Sequence, residues 1–299
     1  MHHAIVRRCA AVLAFAALCG ANAQTASVSR QPGGAAPALT AIAPDASKTS
    51  PGKTVLLDAW FNSQKRKNVA GELEYFHYKW QDQTDSGFSI FGQLWRDSGF
   101  KTDTLYDEPA KANLARAQVY LLVSPDNPAK NAQPHYMNAN DAGQIAAWVA
   151  DGGVLLMMEN DPANADIEHF DLLADKFGLH FNNVLSHHVN GDEFAMGRID
   201  ASRDGDLFRH AHVLYMKDTC TITPSGAARA LLVDKGDVMI ASVKYGKGTV
   251  LAVVDPWLYN EYIDDHRLPK DYDNMGGAHE LIDWVIQQIP PTRQIPPRR

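Results

Sequence analysis

The chain has 299 residues, 45% of them apolar, and a formal net charge of −7 at neutral pH. That acid excess, without a basic stripe anywhere, excludes nucleic acid as the natural partner. Cys9 and Cys19 lie near the start and Cys220 stands alone, so no disulfide framework is available.

Residues 1–23 read as a signal peptide. Arg7 and Arg8 form a basic start, 10–19 is a short apolar run, and Ala21-Asn22-Ala23 is a small-x-small cleavage site before Gln24. Cys19 follows Leu18, which is not the small residue that a lipid-acceptor cysteine wants before it. The expectation is an exported chain, periplasmic or secreted, with no membrane anchor after cleavage. Residues 24–52 are rich in Ala, Pro, Ser and Gly and read as a flexible linker, and 290–299 as a disordered tail. One α/β domain is expected over 53–289.

Residues 54–60 (TVLLDAW) are an apolar run of strand length, followed by the polar Asn62, Ser63 and Gln64. Lys65-Arg66-Lys67 reads as a solvated surface cluster. The aromatic stretch 72–83 (ELEYFHYKWQDQ) reads as an extended segment lying over the sheet edge. Within 86–97, Phe88, Phe91, Leu94 and Trp95 recur at helical spacing. A short strand is expected over 101–105, a weak helix over 110–115 and a third strand over 118–123. Asn138 caps an expected helix over 138–150, which Gly152-Gly153 stops. A fourth strand follows over 154–158, then a helix over 167–177 stopped by Gly178.

From residue 179 the rhythm breaks. About 183–236 reads as an inserted excursion of loops and short strands. Residues 237–243 and 249–254 form a hairpin that re-enters the sheet, and 278–289 is the last helix. Strands alternating with helices predict an α/β fold: a mostly parallel, doubly wound sheet in a three-layer sandwich. No internal repeat, Walker motif, GxGxxG after the first strand, GxSxG or HExxH occurs.

Polar clusters end four of the predicted strands. They are Phe61-Asn62, Pro125-Asp126, Glu159-Asn160-Asp161, and 255–262 (DPWLYNEY). In a parallel sheet such ends share one edge, where ligands bind. Expected substrate contacts are Asn62, His77, Asp126, Asn160, Asp255, Trp257, Tyr259, Asn260 and Glu261. Trp257, Tyr259 and Tyr262 beside amides and carboxylates suit a sugar ring, although the same rings can plug a core. For acid/base work, Glu159 follows an apolar strand, so burial is expected to raise its pKa. Glu159 or Asp161 is the expected acid/base, with Glu168 and His169 as orienting partners. The bland reading of the acidic groups is a helix N-terminus complemented by negative charge. A metal site from Asp161, His169 and a distant histidine lacks any fixed ligand spacing, so neither metal nor cofactor is expected. Cys220 reads as a small core residue, and His187-His188 with Asp192-Glu193 as part of a lid.

The motifs FHYKWQDQTDSGFSIFG, SPDNP, MENDPANADIEHFDLLADKFGLHFN, GDVMIASVKYGKGTVLAVVDPWLYNEY and YDN resemble a domain found beside unsaturated rhamnogalacturonyl hydrolase modules of pectin-degrading bacteria. The likeness covers most of 53–288. The core also resembles the class I glutamine amidotransferase-like fold in the broad sense that includes trehalose-utilisation-type domains, a flavodoxin-like three-layer sandwich. The amidotransferase nucleophile is missing, since Ser124-Pro125-Asp126 occupies the third-strand elbow, so glutaminase chemistry is excluded. The helical-barrel catalytic module of the rhamnogalacturonyl hydrolases is absent as well, and none of its acids carries over. The resemblance implies a pectin or acidic-glycan setting. The expected function is an exported carbohydrate-active protein that hydrolyses or holds uronic-acid-containing oligosaccharides. The rivals are a non-catalytic glycan-binding module and a metal-dependent sugar hydrolase or isomerase. Nothing in the sequence sets the oligomeric state.

Overall fold

The computed structural model describes residues 53–291, except 204 and 265. The expected signal peptide, the linker up to residue 52 and the tail from 292 lie outside the described residues. Thirteen strands and five α-helices are described, and nine of the strands form one sheet.

Four parallel strands make its centre: β1 (Thr54–Asp58), β5 (Val119–Val123), β6 (Val154–Met158) and β13 (Gly248–Val253). Every residue of these strands is buried. Helices cover both faces of the sheet, so a continuous apolar run replaces the alternation of a half-exposed strand. The two strands between β1 and β5 in the chain that form a small hairpin are β2 (Lys65–Lys67) and β3 (Leu73–Tyr75). β4 (Lys101–Leu105) pairs with β1 on its outer side, in parallel.

The order across the sheet is β4-β1-β5-β6-β13. The chain therefore steps outward from β1 to β4 and then crosses back over β1 to β5. With right-handed crossovers, that reversal puts helices on both faces. On one face α1 (Ser89–Asp97) packs against α5 (Asn274–Gln288). On the other α2 (Lys111–Leu114) meets α3 (Ala139–Ala150), which meets α4 (Ile167–Ala174). The three-layer α/β sandwich expected from the strand–helix alternation is the architecture found.

Asn138 caps α3 as expected, its side chain accepting from the backbone N–H of Asn140 at 2.9 Å and Asp141 at 3.1 Å. α1 has no such local cap, because Phe88 precedes it. Its first N–H groups are met instead by Glu261, far along the chain: Ser89 N donates to Oε1 at 2.6 Å and Ile90 N at 3.3 Å.

The excursion of loops and short strands is found, and part of it is built into the sheet. Three strands from this region join the main sheet: β7 (Leu179–Ser186), β10 (Thr219–Pro224) and β11 (Arg229–Asp234). With β12 (Asp237–Tyr245) they extend the parallel half in antiparallel fashion, and β7 forms the far edge. The described residues between 187 and 218 lie outside the main sheet and carry the small hairpin of β8 (Arg198–Ala201) and β9 (His212–Tyr215). β7 escapes a hydrophobic scan because it is an edge strand. Leu179 and Phe181 are buried, while the polar and apolar residues from Asn183 to Leu185 are exposed. Lys65-Arg66-Lys67 is likewise more than a solvated cluster: it is β2, and Arg66 bonds Glu74 at 2.8 Å and Asp82 at 3.2 Å. The segment 72–83 begins as β3 and then turns sharply at His77 and Tyr78, both with positive φ, at 64° and 56°.

Candidate functional site

The ends of β1, β5, β6 and β13 lie along one edge of the sheet, and their polar clusters meet there. Asn62 donates from Nδ2 to the Ser124 carbonyl at 2.9 Å. Ser63 N donates to Asp126 at 2.8 Å, and Asp166 N to the Pro125 carbonyl at 3.0 Å. Asn160 Nδ2 donates to the Tyr78 hydroxyl at 3.2 Å.

Most of this rim is sealed. Asn62, Asp126, Glu159, Asn160, Asp161, Asp255, Tyr259, Asn260 and Glu261 are each at most 3% exposed. Of the expected substrate contacts only His77 and Trp257 are half-buried. Each sealed group has an internal task. Asp161 caps its own turn, accepting from Ala163 N at 2.9 Å and from Asn164 Nδ2. Asp255 accepts from Lys217 N at 2.6 Å and Trp257 N at 2.8 Å. Asn260 Oδ1 accepts from Tyr262 N at 2.9 Å. Tyr259 is a core plug, its ring stacked on Phe91 at 5.3 Å. Trp257 sits between Tyr262 at 5.0 Å and the Lys217 ammonium at 5.2 Å. Cys220 is a buried core residue, and burial pushes its thiol pKa well up.

The four expected catalytic groups share no hydrogen bond with one another among the described residues, and they differ in exposure. Glu159 is fully buried, and burial pushes its carboxyl well above the usual range. Its Oε1 accepts from Asn160 N at 2.9 Å, and no partner for Oε2 lies among the described residues. Glu168 is exposed on α4, where it borders an open cavity of about 340 Å³. His169 Nδ1 lies 3.0 Å from Asp166 Oδ1, and its ring stacks on Tyr136 at 4.3 Å. Its carboxylate partner is thus Asp166 and not Asp161. The strand end points Glu159 inward, while the first turn of α4 carries Glu168 and His169 outward.

An open crevice lies beside this sealed rim, where the strand order reverses between β1 and β5. In open α/β sheets that reversal parts the two following loops and leaves room for a ligand. The cavity measures about 430 Å³ and is lined by Lys65, Tyr75, Lys130, Asn131, Gln133 and His135, with Ser63 and Gln64 at its base. No carboxylate is among the described lining residues. Lys65 lies over the Tyr75 ring at 4.5 Å. His135 stacks on Trp60 at 3.7 Å and donates from Nδ1 to the Trp60 carbonyl at 2.8 Å. A carbonyl only accepts, so Nδ1 carries a proton, and Nε2 is the second polar position of the ring.

Asp126 braces this crevice from beneath. Its carboxylate accepts from Ser63 N at 2.8 Å, Gln64 Nε2 at 2.8 Å and Asn131 Nδ2 at 3.0 Å, so it ties the loop after β1 to the loop after β5. Asn62 and the fully buried Lys79 lie below. Burial brings the Lys79 ammonium down to about 8, opposed by the charges of Asp58, Asp126 and Asp82. Burial also brings His77 down to about 3, helped by Lys79 and Lys130. The site therefore presents two cations, two amides and an imidazole over a floor whose Asp126 carboxylate is hydrogen-bonded within the fold. It can hold an anion with hydroxyl groups around it.

The sequence reading missed Lys65, Tyr75, Lys130, Asn131, Gln133 and His135. One signal existed: the long loop between β5 and α3, which carries Asn, Lys, Gln and His without structure of its own.

No family model matches the chain, and no curated protein matches it. Among solved structures, the fold is similar to "mmIFT52 N-terminal domain", at 17% identity over 78% of this chain and 96% of that chain, with a TM-score of 0.55. It is similar to Cytoplasmic Protein STM1381 from Salmonella typhimurium LT2, at 11% identity over 80% of this chain and 100% of that chain, with a TM-score of 0.51. A cold-adapted β-galactosidase from Rahnella sp. R3 is similar at 12% identity over 80% of this chain, with a TM-score of 0.50, and this chain spans 32% of its length. At these identities the likeness is one of fold alone.

Proposed function

We propose that this chain is a carbohydrate-binding protein that holds a carboxylate-bearing oligosaccharide in the crevice between the loops after β1 and β5. The observation that carries the reading is the lining of that crevice: Lys65 at the start of β2 and Lys130 in the loop after β5, with Asn131, Gln133 and His135 beside them and no carboxylate among the described lining residues. Ammonium groups suit a uronate carboxylate, amides suit sugar hydroxyls, and the Tyr75 ring offers an apolar face. The motif resemblance to the domain beside unsaturated rhamnogalacturonyl hydrolases supports the same substrate class, and with it an exported protein of pectin breakdown. Binding is favoured over hydrolysis because Glu159 and Asp161 lie beneath the surface and have no common access with Glu168 and His169.

The test is calorimetric titration of the full chain with oligogalacturonate and rhamnogalacturonan oligosaccharides, against a neutral galactan of equal length. Products are followed by mass in the same samples. The expected result is binding of the acidic oligosaccharides only, weakened by salt, at least tenfold weaker in Lys130→Glu, and without product. Equal affinity for the neutral glycan, or turnover, overturns the reading.

A further inference from the structure

A second cluster lies away from the crevice, where the end of α4 meets the edge strand β7. Asp171 is in α4, and Asp175 opens the short 3-10 turn that continues it (Asp175–Phe177). Gly178 then reverses the chain with a φ of 71°, and Ser225 is so close that a Cβ at this position would meet its carbonyl oxygen at 2.5 Å. Two residues later His180 comes back beside both carboxylates. Its Nδ1 lies 3.2 Å from Asp171 Oδ2 and 3.0 Å from Asp175 Oδ1. One ligand atom from each of the three residues lies within 4.8 Å of the other two.

His180 Nδ1 is within hydrogen-bond distance of Asp175 Oδ1, so one N–H can be shared between the two carboxylates. The carboxylates themselves are one helical turn apart, a spacing at which like charges repel. The orientation is also prepared: Asp171 Oδ1 accepts from Phe181 N at 2.9 Å, which turns Oδ2 toward the histidine. Bonded partners of this kind commonly orient metal ligands. For a tetrahedral ion with metal–ligand bonds of about 2.0–2.1 Å, ligand atoms stand about 3.3 Å apart. The observed 3.0 and 3.2 Å are close to that edge length.

We propose that Asp171, Asp175 and His180 form a binding site for a divalent transition-metal ion of the zinc, cobalt or nickel type. An imidazole with two carboxylates suits these ions better than calcium or magnesium, which prefer oxygen alone. Solvent completes the coordination, because Asp175 and His180 are exposed. The ion joins α4 to β7, which among the described residues has only β10 beside it in the sheet. The site is thus a clamp on the sheet's free edge, independent of the glycan crevice.

The tag-free full chain is titrated with zinc chloride by calorimetry, and with cobalt chloride by visible absorption. One saturable equivalent is expected, with a rise in thermal midpoint. Affinity falls at least tenfold in His180→Ala and in Asp175→Asn, and stays unchanged in the control His210→Ala. Because both altered side chains are half exposed or more, the variants are expected to keep the parent's circular dichroism. In the unaltered chain, the imidazole NMR signals of His180 shift on metal addition, which gives a readout that needs no variant. Absence of saturable binding, binding that survives His180→Ala, or unshifted His180 signals overturns the proposal.

Discussion

Lys79 donates from Nζ to Oδ1 of Asn62 across 2.8 Å, with both side chains shut away from solvent. Asn62 passes the link on, from Nδ2 to the Ser124 carbonyl at the end of β5. One buried cation thereby connects the turn after β3 to the loops after β1 and β5, and it stands among the carboxylates of Asp58, Asp126 and Asp82. Lys79→Ala removes the charge and leaves those carboxylates without their cation. Loss of one partner from a buried charge network costs about 3–5 kcal/mol. Urea unfolding at pH 7 checks this, and a loss below about 1 kcal/mol would mean that the network does not hold the crevice floor. Lys79→Met keeps most of the volume and separates charge from packing.

Asp255 predicts a pH dependence. Burial pushes its carboxyl from 3.8 up to about 8, against the hydrogen bonds from Lys217 and Trp257. The folded state therefore holds this proton through a range in which the unfolded chain has released it. The sign follows: the group's contribution to stability is fully present below about pH 3.8 and declines as pH rises toward about 8. Its slope is at most about 1.4 kcal/mol per pH unit. Asp255→Asn removes that slope. The amide accepts only one of the two backbone N–H groups, so the variant also loses a pH-independent ~1–3 kcal/mol. Chemical denaturation from pH 5 to pH 8 separates the two effects. Parallel pH curves for parent and variant would refute the assignment.

Glu261 caps a helix that lacks a cap of its own. Glu261→Ala leaves the N–H groups of Ser89 and Ile90 without their acceptor in a half-buried place, a loss of about 1–3 kcal/mol. Glu261→Gln keeps one acceptor and loses mainly the favourable charge at the helix N-terminus, about 0.3–1 kcal/mol. Hydrogen exchange adds a local reading: protection in the first turn of α1 drops more than in α5. Uniform loss across both helices would contradict a capping role.

Glu159 separates binding from hydrolysis. Because its side chain is buried and does not line the crevice, Glu159→Gln is expected to leave oligogalacturonate affinity within twofold of the parent. Lys65→Glu, an exposed change at the crevice wall, is expected to weaken that affinity at least tenfold without altering the unfolding midpoint by more than about 0.5 kcal/mol equivalent. The opposite ranking of the two variants would return the function to the carboxylates.

Local pattern was enough for the central architecture. The runs TVLLD, VYLLV and VLLMM announce buried parallel strands because a strand covered on both faces must be apolar along its whole length, and GTVLAV announces the returning arm of a hairpin. Asn138 announces the start of α3 because a side-chain oxygen at that position meets the N–H groups the helix leaves open. The polar ends of those strands were equally readable, and so was their meeting at one edge. What local pattern did not carry was depth. Asp126, Glu261 and Lys79 have the residue types of a binding site, yet each has a partner 17 or more positions away in the chain, and those distant partners draw them inside. The crevice, for its part, exists because the chain reverses its direction of travel between β1 and β5, and Lys65, Lys130 and His135 become neighbours only then. Periodicity reports which side of an element faces the core, since that follows from 3.6 or 2 residues per repeat. Whether a polar group at an element's end meets water or another polar group depends on which loop folds across it, and only the packed structure decides that.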